Sequence, residues 1–258
     1  MTSSVQSRAQ RPPTVRGRWS ALLRLAAVTA AVSAVFIPVQ VGVFVAWPPP
    51  LDGGAADWFA LLRDNRIAGL IDLDILLVAD NVLLLPVLLA LFILLRQVRE
   101  STMLFATALG LLGIIAYVVT NPAIQMAALG DDYARAATDA ERSSAVAAGQ
   151  AVLATWQGTA FHVGYLAGSL AGVLIGAVML GSPAFGKATA WMMILANTVG
   201  LGLYVPAVGV YIAVFSVVFL EIWYVLVARA LWRLHRLASP PTVEAPMRPP
   251  WSRNTNGA

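Results

Sequence analysis

Hydrophobic residues in this chain come in blocks long enough to leave no alternating pattern. Apolar runs cover residues 25–47, 74–95, 103–124, 159–180, 188–206 and 208–231, broken by short polar stretches. A helix needs about 20 consecutive apolar residues to cross a hydrocarbon core, because lipid offers the backbone no hydrogen-bond partners. The pattern predicts an all-α integral membrane protein, a bundle of six transmembrane helices. The last two runs are joined by a turn of a few residues, which makes them antiparallel neighbours.

Between the runs the connections are unequal. "RQVRES" and "GSPAFGKAT" are short, whereas residues 48–73 and 125–158 are long enough to fold. In "ADWFALLRDNRIAGLI", Trp58, Phe59, Leu61, Leu62 and Ile67 recur near helical spacing among Arg63, Asp64 and Arg66. The segment reads as a short outer interfacial helix, and a lid over the bundle would carry the same pattern. The alanine-rich "DDYARAATDAERSSAVAAGQAVLATW" favours helix, extending the fourth span beyond the membrane. Residues 1–19 and 237–258, with "RPP" and "SPP", read as disordered tails flanking a transmembrane domain over residues 20–236.

Composition agrees: 59% of residues are apolar and 12% charged, beyond the usage of a soluble domain of this size. The formal net charge of +4 would suit nucleic acid if it were clustered. Its distribution is instead a topology signal, since cationic loops stay cytoplasmic. With both termini cytoplasmic, only Arg63, Arg66, Arg135 and Arg142 fall outside, among Asp52, Asp57, Asp64, Asp72, Asp131, Asp132, Asp139 and Glu141. No nucleic-acid partner is expected, and the lipid bilayer is. Cysteine is absent, which excludes disulfides, thiolate metal sites and cysteine nucleophiles. No convincing internal repeat supports an inverted-repeat transporter.

Two patterns mark packing and chemistry. Gly164, Gly168, Gly172 and Gly176 stand at every fourth position of one helix, a groove into which another backbone can press. Its partner is either within the bundle, where Gly110, Gly113, Gly200 and Gly202 are candidates, or a second copy across a homodimer seam. Polar residues inside spans are costly and normally face the interior. By helical rise Gln40, Asp80, Asn81, Asn121 and His162 reach a similar depth in the outer half, either a polar pocket open outward or a set of packing hydrogen bonds. Pro86 would bend the second span below them. Glu221 lies near the midplane with Asn197 at a similar depth, a structural pair or a proton-titrating site. One histidine among a few carboxylates has no recognisable ligand spacing, so no metal and no cofactor is expected.

The words "ADN" and "EIWYVLVARALWRL", within residues 20–236, resemble the bacterial multi-pass membrane proteins grouped as domain of unknown function 4386. The resemblance implies six spans and a plasma-membrane location, and carries no assigned activity or catalytic residue. No "HExxH", "GxSxG" or Walker loop occurs. Three functions stay open: an accessory or sensory membrane component, ranked first; a small-molecule or ion transporter using the outer pocket; and an intramembrane acid–base enzyme on a lipid-like substrate, using Asp80 or Glu221.

Overall fold

The computed structural model describes residues 18–238, and both expected tails fall almost wholly outside that range. Among the described residues there is no strand. The helices are α1 (Ser20–Ala46), α2 (Ala55–Asp64), α3 (Arg66–Asp72), α4 (Ile75–Leu95), α5 (Glu100–Thr120), α6 (Ala123–Arg135), α7 (Asp139–Trp156), α8 (Thr159–Leu180), α9 (Lys187–Gly200) and α10 (Gly209–Ala238); a 3₁₀ turn, Leu201–Tyr204, follows α9.

Among the described residues five stretches are long and apolar enough to cross a membrane: α1, α4, α5 with α6, α7 with α8, and α10. Their outward surfaces are as apolar as their interior: Val45 and Val119 are 77% and 73% exposed, while Leu23, Val87 and Leu231 are fully buried. A helix apolar on all sides belongs in lipid. The chain is therefore a multi-pass membrane protein. The fifth expected span, residues 188–206, is shorter as a helix than its apolar run, because α9 stops at Gly200 and tightens into the 3₁₀ turn before Pro206.

The long helices and α9 form a closed ring. Each packs on its sequence neighbour in the order α1, α4, α5, α8, α9, α10, and α10 returns to α1. The α5–α8 contact is the most extensive, and the glycine stripe explains why. A β-carbon on Gly113 of α5 would lie 2.9 Å from the carbonyl oxygen of Gly164 and 3.1 Å from the Cα of Gly168. Further along, the stripe changes partner: a β-carbon at Gly172 would overlap the Asn197 side chain of α9, and one at Gly176 would meet Ile194 at 2.7 Å. The groove is thus filled within the chain by two different helices. Of the other candidate glycines, Gly110 faces Leu88, Gly200 faces Tyr165 and Gly202 faces Ile212.

At one end of the ring the long connections fold together as a cap of α2, α3, α6 and α7. The apolar face of α2, with Trp58, Phe59 and Leu62, is buried against Ala123, Met126, Ala127 and Leu153 in a core separate from that of the bundle. This corrects the interfacial helix: protein, not the membrane surface, covers that face, and only Ile67 of the apolar set stays 73% exposed. Local chemistry starts each cap helix. Thr138 and Glu141 form a capping box on α7, and the Asp57 carboxylate accepts from Gly54 N–H at 2.8 Å ahead of α2. Arg66 of α3 grips Asp131 of α6 bidentately at 2.7 and 3.0 Å. α7 leads into α8 across only Gln157 and Gly158, so the fourth span does extend beyond the bundle.

Candidate functional site

A chain of carboxylates and hydroxyls runs from the joint between cap and bundle into the ring. It begins where α3 ends. Asp72 is 1% exposed and neither carboxylate oxygen has a hydrogen-bond partner. Two residues on, Asp74 opens α4 in the left-handed conformation, φ 66°. Aspartate tolerates that region better than most side chains, and the turn directs its carboxylate back at α1. There Gln40 Nε2 donates to Asp74 Oδ1 at 2.6 Å. The buried hydroxyl of Tyr117, on α5, faces the same carboxylate without completing a hydrogen bond.

Deeper in the ring, Tyr224 of α10 donates its hydroxyl to Asp80 Oδ2 at 2.8 Å. Asp80 Oδ1 is buried and unpartnered, with the Ser33 hydroxyl of α1 beside it. Glu221, one turn before Tyr224, is close enough to Asp80 for their charges to interact, and its Oε1 is likewise buried without a partner. Four elements, α1, α4, α5 and α10, therefore bring Asp74, Asp80 and Glu221 into one interior region. Among the described residues no lysine, arginine or histidine pairs with any of them.

The joint's electrostatics follow from burial. Desolvation pushes the Asp72 carboxyl up to about 6, with the neighbouring Asp74 charge adding to it. Desolvation also raises Asp74 to about 6, against the opposing hydrogen bond from Gln40 and the nearby Tyr117 hydroxyl. Acceptors here outnumber donors: both Asp72 oxygens, Asp80 Oδ1, Glu221 Oε1 and Gln40 Oε1 lack partners, against the hydroxyls of Ser33 and Tyr117 and the Trp223 indole. Added protons are what such a set can take up. Among the described residues no group of three or more His, Asp or Glu side chains converges as a metal site.

The expected pocket is thus divided. Asp80 and Gln40 join the interior chain through different partners. Asn81 donates to Leu77 O of its own helix at 2.9 Å. Asn121 is a latch: its amide donates to Leu73 O at 2.8 Å and its carbonyl accepts from Ala123 N–H, fastening the α5–α6 break to the cap joint. His162 is apart and exposed, with Nδ1 3.2 Å from the Tyr204 hydroxyl in an aromatic group with Phe161 and Tyr165.

The Glu221–Asn197 pair is not formed. Asn197 Nδ2 donates to Met193 O and its side chain fills the space left by Gly172, while Glu221 faces Asp80.

Sequence reasoning missed Ser33, Asp72, Asp74, Tyr117 and Tyr224 as members of this group. The spacing held part of the signal, since Ser33 and Gln40, or Glu221 and Tyr224, stand at intervals that share a helix face. No family model, no curated protein and no solved structure matches the chain.

Proposed function

We propose that this protein is a sensory or accessory component of a bacterial plasma membrane whose input is protonation of the interior carboxylate chain. The observation that carries the reading is the placement of Asp72 and Asp74 at the joint between cap and bundle, continued inward by Asp80 and Glu221, with no cation among the described residues paired to them. When both joint carboxylates ionise, two like charges share a buried turn; when they bind protons, the repulsion ends and each gains a donor. Cap packing and proton occupancy are then linked, as any state-selective ligand is linked to the state it prefers.

The same proposal includes six spans, cytoplasmic termini and membership of the family that the sequence resembles. Supporting a sixth span, α9 with its 3₁₀ turn is about 29 Å long at ordinary helical rise, near the roughly 30 Å of a hydrocarbon core, and it closes the ring. Arginine supports the orientation, since the end opposite the cap carries Arg24, Arg96, Arg99, Arg229, Arg233 and Arg236.

A second reading, a proton-coupled carrier, is favoured by Pro38 and Pro86, which interrupt hydrogen bonding in the two helices that hold Ser33, Gln40 and Asp80. Hydrogen exchange of α2 and α3 in lipid, at pH 5.5 and 7.5 and corrected for intrinsic rates, tests the sensory reading. It expects faster exchange at the higher pH. Equal protection at both would overturn it, and proton flux in proteoliposomes abolished by Asp80→Asn would establish the carrier instead.

A further inference from the structure

At the end opposite the cap, α1 and α10 leave a groove of about 930 Å³ between them. Its floor is apolar and recessed, because Ala27, Ala31 and Ala228 bring only methyl groups to the contact. It runs from Ala27 to Phe36, about 13 Å along α1 at helical rise. Its mouth is cationic. Arg229, Trp232, Arg233 and Arg236 stand at intervals that place them on one face of α10, and all are exposed. Arg236 lies over the Trp232 ring, 5.7 Å from its centre, and Arg233 Nη2 donates to Ala184 O at 3.0 Å, which holds those side chains at the rim. Every ion pair among the described residues belongs to the cap, so no described carboxylate neutralises these arginines.

We propose that this groove seats an anionic diacyl phospholipid, its phosphate held by Arg229, Arg233 and Arg236 and an acyl chain lying along the alanine floor. Charge complementarity selects the anion, and the apolar depth selects a lipid over a soluble phosphate. Trp232 fits the same occupant, since indole rings settle at head-group level.

The test is native mass spectrometry of the full chain released from vesicles of equal phosphatidylcholine and phosphatidylglycerol. Wild type should retain phosphatidylglycerol preferentially. Retention should fall about fivefold for each of Arg229→Gln and Arg236→Gln, the effect of one cation near an anionic surface. Val32→Trp, which fills the groove from an exposed position, should abolish it, whereas Arg96→Gln/Arg99→Gln, at the same end but outside the groove, should leave it unchanged. Equal retention of both lipids by wild type would overturn the proposal without need of any variant. So would displacement by inorganic phosphate alone, or an equal loss in the Arg96/Arg99 variant. A benzophenone amino acid in place of Val32 should capture lipid; capture of a second copy, or of residues 239–258 of the same chain, would also contradict it.

Discussion

Tyr224 donates a 2.8 Å hydrogen bond to Asp80, tying α10 to α4 across 144 positions of sequence. Both side chains are buried, and among the described residues Asp80 Oδ1 has no hydrogen-bond partner of its own. Tyr224→Phe keeps the ring packed on Trp223 but leaves both carboxylate oxygens without a donor. Interhelical hydrogen bonds in membranes average about 0.6 kcal/mol and reach about 1.7, so a loss of about 1 kcal/mol is expected in thermal unfolding in lipid. Unfolding indistinguishable from wild type would show that the bond contributes nothing to the fold.

The joint carboxylates give stability a pH dependence of definite sign. Asp72 and Asp74 both sit at about 6 in the folded protein, above the ordinary value of 3.8, so the folded state binds protons more tightly than the unfolded chain. The stabilisation these two groups contribute is therefore fully present below about pH 4, declines as pH rises through about 6, and levels off above it. Asp74→Asn is the suitable probe, because asparagine accepts the left-handed backbone and can still pair with Gln40. It should raise stability at pH 7.5 by on the order of 2 kcal/mol and flatten the profile between pH 5 and 7. Because the two acids interact, their titration belongs to the pair. An unchanged profile in Asp74→Asn would remove this residue from the switch.

Along the glycine stripe, Gly168 and Gly172 should behave in opposite ways although they share a face in sequence. A β-carbon at Gly168 meets nothing within 4 Å, whereas one at Gly172 would overlap the Asn197 amide. Gly168→Ala should change stability by less than about 0.5 kcal/mol. Gly172→Ala should cost about 1–3 kcal/mol, with Asn197→Ala in the same chain recovering part of it. Equal effects at both positions would mean that α9 does not occupy this part of the groove.

The bundle was legible because apolar runs report directly on lipid, and the fourth span matches the expected residues 159–180. The cap was not, since the burial of Trp58 and Phe59 depends on α6 and α7 rather than on any local pattern. The glycine stripe announced close packing but could not divide its partners, which differ between Gly164 and Gly172. Depth along a span placed Asp80 and His162 together, yet the ring separates them because rotation about each helix, set by packing, decides who meets. Asp74 is illegible for a related reason: at the edge of a span it looks like a solvated turn residue, and only its left-handed backbone and its bond to Gln40 show that it points inward.

Reporter fusions at Arg99, Asp139 and Lys187 should place Asp139 on the external side and the other two in the cytoplasm. Activity of an external-type reporter at Lys187 would overturn the proposed orientation.

The joint between cap and bundle is proposed to take up protons near neutral pH. An infrared titration of the carboxyl bands, on the full chain in lipid, compares wild type with Asp72→Asn/Asp74→Asn. Wild type should show a component with a midpoint near pH 6, well above the exposed acids at about 4, that is missing from the double variant. The same titration curve in both proteins would contradict it.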